Sequence, residues 1–201
     1  MPSHRPPSIA SVSTEADFRL PRTVVPSHYD LTLAPDLDTA TFTGSVSAAI
    51  DVKEPVRAVV VNAIELEISS ATLVSPNGER LEAVVTYDEP MQRAILTLGA
   101  VADPGPWRLE ADFTGTLNDQ LHGFYRSTFK TVDGTQRTIA TTQFEATEAR
   151  RAFPCWDEPD LKATFSVTLV VDDGLLAVSN AAEVSREPVG DGKVAVAFAR
   201  T

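Results

Sequence analysis

Apolar side chains recur at every second position in one short run after another, and this pattern restricts the fold more than any other feature. The clearest runs are Tyr29, Leu31 and Leu33; Phe42, Val46, Ala48 and Ile50; Trp107, Leu109, Ala111 and Phe113; Ala163, Phe165, Val167, Leu169 and Val171; and Val194, Val196 and Phe198. A period of two is typical of strands with one buried face, because successive side chains point to opposite sides. The pattern predicts an all-β protein.

Short clusters of turn-forming residues separate these runs. Asn77-Gly78 is the clearest hairpin signal, and Pro188 to Gly192 is interpreted as a turn before the last run. Short strands at regular spacing favour an antiparallel, saddle-like β-sandwich or open barrel.

One segment interrupts the β pattern. Thr147 can cap a helix over the next few residues, and Pro154 cannot continue it. We therefore expect at most one or two helical turns near residues 147–152.

The chain divides into two parts by composition. Residues 1–17 are rich in Pro, Ser and Thr without a hydrophobic period, which predicts a flexible N-terminal arm. Residues 18–201 are interpreted as a single β domain. A strand-like run continues almost to Thr201, which suggests a cut before a further domain.

Charge and cysteine content exclude several classes of protein. The 17 Lys and Arg against 28 Asp and Glu give a net charge of -11, which disfavours nucleic acid and anionic membranes as partners. No apolar run approaches the roughly 18 residues of a membrane-spanning helix. The single cysteine, Cys155, cannot form an internal disulfide and is interpreted as a small buried hydrophobic residue. We expect a cytoplasmic protein.

The three histidines do not predict a metal site. His4, His28 and His122 lie far apart, and neither a His-Glu-x-x-His nor a Cys-x-x-Cys pattern occurs. His28 and His122 are interpreted as structural, and we expect neither a catalytic residue nor a metal ligand in this chain.

The segment of residues 141–159, called here the charged segment, holds four carboxylates, two arginines and three aromatic residues. Charges clustered beside large aromatics can form the wall of a site, because partial burial strengthens polar contacts. The same residues also fit a structural interpretation, in which the arginines pair with Glu148, Asp157 or Glu158 and fasten a loop to the sheet.

Residues Thr142 to Pro159 match every fixed position of Thr-Gln-x-Glu-x-x-x-Ala-Arg-x-x-x-Pro-Cys-x-Asp-Glu-Pro, and in this they resemble the aminopeptidase N-like zinc exopeptidases. Three flanking segments strengthen the resemblance: Pro26 to Leu31, Gly123 to Ser127, and Lys162 to Phe165. The resemblance covers about residues 18–201.

The resemblance implies the N-terminal domain of a multidomain aminopeptidase whose zinc lies in a separate catalytic domain. The motifs of that domain, Gly-x-Met-Glu-Asn and His-Glu-x-x-His, are not found here. In the family, the Gln-x-Glu loop reaches into the active site, so the resemblance assigns Gln143 and Glu145 to substrate binding. Glu145 would hold the α-ammonium of the peptide N-terminus, and Gln143 would contact the first side chain.

The partners expected on this interpretation are the catalytic domain of the same enzyme and a peptide N-terminus. The alternative is a stand-alone binding or scaffold module with the same β fold. A reading frame that continues beyond Thr201 into the catalytic motifs would distinguish the two.

Overall fold

A computed structural model describes residues 18–201, and they form twelve strands and one 3-10 turn at Ala149–Arg151. The predicted flexible arm lies outside the described residues. The strands are β1 (Val24–Asp36), β2 (Thr41–Val52), β3 (Val56–Asn62), β4 (Leu66–Val74), β5 (Arg80–Asp88), β6 (Arg93–Ala102), β7 (Gly105–Thr116), β8 (Gly123–Lys130), β9 (Gln136–Gln143), β10 (Thr164–Asp172), β11 (Glu183–Gly190) and β12 (Lys193–Phe198).

Ten strands form one large sheet in the order β11-β12-β10-β1-β2-β7-β4-β5-β6-β3, and β8 pairs with β9 in a separate hairpin. The chain is therefore all-β, as predicted. The predicted antiparallel pairing holds for every pair of strands in the large sheet except β1 and β10, which run parallel, with His28 opposite Thr164 and Leu33 opposite Leu169. Period-two patterns do not report strand direction. Only the long path from β1 to β10 makes a parallel pair possible.

The centre of the sheet is the long antiparallel pair β2 and β7, in which two glycines lie under aromatic rings. Gly44 is opposite Phe113, and Gly115 is opposite Phe42. A Cβ atom at Gly115 would come within 2.3 Å of Phe42, and one at Gly44 within 2.5 Å of Phe113. Phe42 also packs edge-on against Phe124 of β8, which attaches the hairpin to the large sheet.

Gly115→Ala is expected to lower the free energy of unfolding by about 1–3 kcal/mol, because the ring of Phe42 is fully buried and must move. Gly99→Ala is the matched control, since its new Cβ would meet no atom closer than 3.9 Å and should change stability by less than about 0.5 kcal/mol. Urea unfolding measures both. Equal effects of the two substitutions would contradict the described packing.

The large sheet does not close into a barrel, and most of it covers one main hydrophobic core, while a second, smaller buried cluster lies at β10 and β12. Strands from its distant parts contribute to the same buried cluster, including Leu31 of β1, Val59 of β3 and Leu96 of β6. The end strand β3 is joined by an isolated antiparallel bridge between Asn62 and Cys155 of the charged segment. The charged segment therefore lies against the far end of the sheet.

Three local predictions can be compared with the structure. The Asn77-Gly78 hairpin is confirmed, with Gly78 at φ 84° between β4 and β5. The helical turn is confirmed, although its N-cap is Glu148 rather than Thr147 and no side chain caps it. The predicted turn over 188–192 is too long, because β11 continues to Gly190. Pro188 is tolerated there since β11 is an end strand.

Candidate functional site

Gln143 and Glu145 lie on a short loop at the end of β9, and both side chains are exposed. Phe144 between them is half-buried and packs against the hydrophobic core. Gln143 and Glu145 are two residues apart on either side of a half-buried residue, a spacing that in an extended chain places both side chains on one side. The N–H of Glu148 donates to the carbonyl of Phe144 at 3.0 Å, which closes the loop over residues 143–148, called here the Gln-x-Glu loop.

An aromatic cluster packs against this loop through Phe144. The ring of Phe144 meets that of Phe153 edge-on, with centroids 6.1 Å apart. Phe153 also packs edge-on against Tyr29 and Phe165, which stack on each other at 4.9 Å. Offset and edge-on aromatic contacts fix the relative orientation of the rings. The residue between Gln143 and Glu145 is therefore an anchor for the loop.

Arg150 and Asp157 form the main ion pair of the charged segment. Nε of Arg150 lies 2.9 Å from Oδ2 of Asp157, and the two side chains are only 12% and 14% exposed. The Arg150 side chain also donates to the Asp157 carbonyl at 3.2 Å and to Oε1 of Gln92 at 3.2 Å. This pair connects the 3-10 turn to the Pro-Cys-Trp-Asp stretch that follows it.

Arg151 points to a different pair of carboxylates. It lies 2.5 Å from Oε2 of Glu148 and 2.6 Å from Oε1 of Glu65. Burial opposes the charge on Arg151, but hydrogen bonds to Glu65 and Glu148 outweigh it and raise its pKa. Gly123 makes room for this arginine, because a Cβ atom at Gly123 would lie 2.6 Å from the Cβ of Arg151.

Glu158, the fourth carboxylate, ties the charged segment to the residues just before β1. Its carboxylate accepts hydrogen bonds from the backbone N–H of Leu20 and from the guanidinium of Arg22, the latter at 2.6 Å. The structural interpretation of the two arginines is therefore confirmed for Asp157 and Glu148, whereas Glu158 pairs with Arg22.

Glu145 differs from the other three carboxylates of the segment. Within residues 18–201 its side chain has neither an ion pair nor a hydrogen bond, and the same holds for the side-chain amide of Gln143. Both groups are held in place through Phe144 and the neighbouring turn while remaining free to contact another molecule.

Asn62 is a buried residue that sequence reasoning missed. It is 4% exposed, and its Oδ1 accepts the backbone N–H of Asp157 at 3.1 Å. Its own backbone exchanges two hydrogen bonds with Cys155, at 2.7 and 3.1 Å. Its position at the end of the apolar Val-Val-Val run of β3 was the one available signal, because a polar residue there needs a buried partner.

The histidines and the cysteine have structural surroundings. Nδ1 of His28 lies 2.8 Å from Oγ1 of Thr164, and the carbonyl of His122 accepts a hydrogen bond from Asn118. Cys155 is buried, and this burial raises the pKa of its thiol. No group of three or more His, Cys, Asp or Glu side chains in the described part could hold a metal ion.

Raising the pH from 8 to 11 is expected to lower the free energy of unfolding. Burial raises the pKa values of Cys155 and Tyr29 in the folded protein, so the unfolded chain loses these protons first. The contribution of these two groups to the free energy of unfolding is fully present below about pH 8.5. Above the pKa that each group has in the unfolded chain, the free energy of unfolding falls by up to about 1.4 kcal/mol per pH unit. Cys155→Ala should remove the part that begins near pH 8.5, as measured by urea unfolding. An unchanged slope in this variant would contradict the burial of the thiol.

One wide groove of the described residues is separate from this loop. It has a volume of about 990 Å³ and is lined by residues of β2, β4 and β7, by Tyr87 and by the acidic side chains of Glu65, Glu67 and Glu89. None of its lining residues belongs to the charged segment. Two of its lining residues contact the segment: Glu65 pairs with Arg151, and the backbone N–H of Ile64 donates to the carbonyl of Arg150.

Comparison with known proteins matches this architecture to one family. Residues 25–201 match the Peptidase M1 N-terminal domain. The chain belongs to this family. As an M1 N-terminal domain, it is 45% identical over 166 residues to Aminopeptidase M1-A of Oryza sativa subsp. japonica, an alignment that covers 81% of the chain.

Two further relatives extend the comparison. The domain is 41% identical over 183 residues to the Puromycin-sensitive aminopeptidase of Caenorhabditis elegans and 38% identical over 181 residues to the Endoplasmic reticulum aminopeptidase 1 of Homo sapiens. These alignments cover 90% and 88% of the domain. The chain spans about 19% of the length of these relatives.

Among residues 18–201, no helix is both long and apolar enough to cross a membrane.

Proposed function

We propose that this domain contributes substrate recognition to a zinc-dependent aminopeptidase, with Glu145 binding the α-ammonium of a peptide. The observation that carries the proposal is the contrast among four neighbouring carboxylates. Glu148, Asp157 and Glu158 are each used in an ion pair, whereas Glu145 is exposed and unpaired within the described residues. Its loop is nevertheless fixed by Phe144 and by the turn that follows.

The chemistry of an aminopeptidase requires a group that recognises a free amine. A carboxylate forms charge-assisted hydrogen bonds with an ammonium group and leaves the neutral amide of an internal peptide without an equivalent contact. Glu145 supplies such a carboxylate. Because its charge is exposed in this domain, a second surface must cover it during binding to remove water and strengthen the contact.

Gln143 is proposed to contact the first side chain of the substrate. It is exposed like Glu145 and directly precedes the half-buried anchor Phe144. An amide group both donates and accepts hydrogen bonds, so it suits neutral side chains of varied chemistry. Glu145 would thus recognise the amine, and Gln143 would select among first side chains.

The covering surface is proposed to be the catalytic domain of the same enzyme, and that domain would hold the zinc. The donor set of residues 18–201 does not fit a zinc site, so no step of the reaction is assigned to a metal bound here. The chain spans about 19% of the length of its relatives, and this supports a larger enzyme. Exposed apolar residues support a partner as well, for example Leu176 and Val178 in the connection from β10 to β11, at 86% and 72% exposure.

The chain of 201 residues alone is expected to hydrolyse no aminoacyl substrate and to bind no stoichiometric zinc, because the required ligands are missing. The polypeptide encoded by a reading frame extended through the catalytic motifs should do both. Metal analysis and an aminoacyl-amide assay on the two proteins test this.

Two outcomes would contradict the proposal. One is a chelator-sensitive peptidase activity of the 201-residue chain with about one bound zinc. The other is a reading frame that ends without the catalytic motifs, which would favour the stand-alone module.

We also propose a cytoplasmic location, which is supported by a single, buried and unpaired cysteine.

A further inference from the structure

We propose that Gln92 and Asn62 are positioning residues, which hold the Gln-x-Glu loop in the geometry needed to bind a substrate amine. The inference rests on the proposed function of Glu145. Neither residue belongs to the charged segment, and both lie more than 50 positions before Glu145 in the sequence. They act on the loop through Arg150 and Asp157.

Gln92 fixes one side of Arg150. It lies in the turn between β5 and β6 at φ 54°, and its Oε1 accepts a hydrogen bond from Nη1 of Arg150 at 3.2 Å. Its backbone carbonyl accepts the N–H of Ala63 at 3.0 Å, which ties the turn to the end of β3. The amide of Gln92 therefore projects from a turn that is itself tied to the end of β3.

Asn62 fixes Asp157, the partner of Arg150. Its side-chain oxygen receives the backbone N–H of Asp157, and its Nδ2 lies 3.5 Å from the carbonyl of Gln92. Nearly complete burial leaves the Asn62 amide no water to bond with instead. Asn62 and Gln92 thus hold the two members of the ion pair from the same edge of the sheet.

The position of Arg150 determines the position of the loop. The carbonyl of Arg150 accepts the N–H of Ile64 at 3.1 Å, and its own N–H points to Asp157 at 3.3 Å. Arg150 is part of the 3-10 turn, and this turn begins directly after Glu148. The N–H of Glu148 closes the loop by donating to the carbonyl of Phe144. A tilt of the guanidinium therefore moves the turn and, with it, Glu145. A displacement of about 1 Å can reduce catalysis by up to about a hundredfold.

Gln92→Met is the variant that tests the role of the side-chain oxygen. Methionine keeps an unbranched side chain of similar length but offers Arg150 no strong acceptor. Gln92→Glu restores an acceptor and should rescue the loop. Gln120→Met, at an exposed glutamine that has no side-chain partner within the described residues, is the matched control.

The first readout is amide hydrogen exchange in the 201-residue chain. Losing a hydrogen bond to a charged group should speed exchange at Glu148, Arg151 and Ala152 about tenfold in Gln92→Met, with strands β2 and β7 unchanged. Gln92→Glu and Gln120→Met should match the parent protein. Unchanged exchange at these three amides in Gln92→Met would overturn the inference, whatever the function of the loop.

The second readout is the kinetics of the full-length enzyme that carries this domain. Gln92→Met should raise KM for free-amine substrates about fivefold or more while kcat changes less, because the amine contact is misplaced. A substitution that only destabilised the fold would reduce the amount of active enzyme. The apparent kcat would then fall, and KM would not change. An unchanged KM, together with a loss of activity in Glu145→Gln, would overturn the positioning role. If Glu145→Gln has no effect either, the proposed function has failed, and faster exchange in Gln92→Met would still support the control of the loop by Gln92.

Discussion

Arg150→Met is expected to lower the free energy of unfolding by about 3–5 kcal/mol, one of the largest effects of any single substitution in this chain. Methionine fills a similar volume but leaves the carboxylate of Asp157 largely buried without its partner. Breaking a buried ion pair from one side is strongly destabilising, because the remaining charge has lost its water and its counter-charge. Urea unfolding followed by tryptophan fluorescence measures the change, since Trp156 is buried next to Asp157.

Arg186→Met provides the matched control for this substitution. Arg186 also pairs with a carboxylate, Glu183 at 3.1 Å, but both side chains are substantially exposed. Exposed pairs contribute little, so this variant should lose far less stability than Arg150→Met. Asp157→Asn in the Arg150→Met background should recover part of the loss, because the uncompensated charge is removed. Equal effects of Arg150→Met and Arg186→Met would show that the Arg150 pair is not buried as described.

The fold class could be predicted from the sequence because the strands of the large sheet have one buried face. In β2, for example, Val46, Ala48 and Ile50 are buried and alternate with half-buried residues. The hairpin β8–β9 was harder to predict from periodicity, because most of β9 is polar or exposed on both sides. In its first strand, only the resemblance drew attention to Gly123 to Ser127. A strand that buries little leaves a weak pattern.

The contacts that close the site could not be predicted from local patterns. Asn62, Gln92 and Arg22 contact the charged segment across more than 50 residues of sequence. Gln92 and Arg22 are ordinary polar residues near turns with no spacing that marks them, and only Asn62, at the end of an apolar run, has a local signal. Their partners are defined only when the sheet curls and brings β3 against Cys155. Such long-range pairings depend on the whole fold, as does the parallel pairing of β1 with β10.

Gln143 and Glu145 came from the resemblance, and their roles in substrate binding stay predictions. The structure adds one physical reason to single out Glu145, which composition alone could not supply. Within residues 18–201, the three other carboxylates of the charged segment are paired and Glu145 is not. The charged segment therefore contains both a structural network of ion pairs and a candidate binding group.

Glu145→Gln in the full-length enzyme is expected to reduce kcat/KM for free-amine substrates at least about tenfold. Glutamine keeps the shape of the side chain but removes its charge, so a desolvated ammonium would face a neutral amide. Removing one member of such a pair typically costs about 2–5 kcal/mol. Glu187→Gln, which neutralises an exposed carboxylate on β11, should leave kcat/KM unchanged. Gln143→Ala should mainly change the preference among first side chains, because a neutral amide contact contributes only about 1 kcal/mol.

The most direct test of the account compares two substrates that differ only at the α-position, one with an amine and one with a hydroxyl group. The ratio of their kcat/KM values measures amine recognition and cancels differences in enzyme concentration and folding. The account predicts that the parent enzyme strongly prefers the amine, and that Glu145→Gln reduces this preference at least about tenfold while Glu187→Gln preserves it. An identical preference in the parent enzyme and in Glu145→Gln would contradict the assignment of the ammonium contact to Glu145.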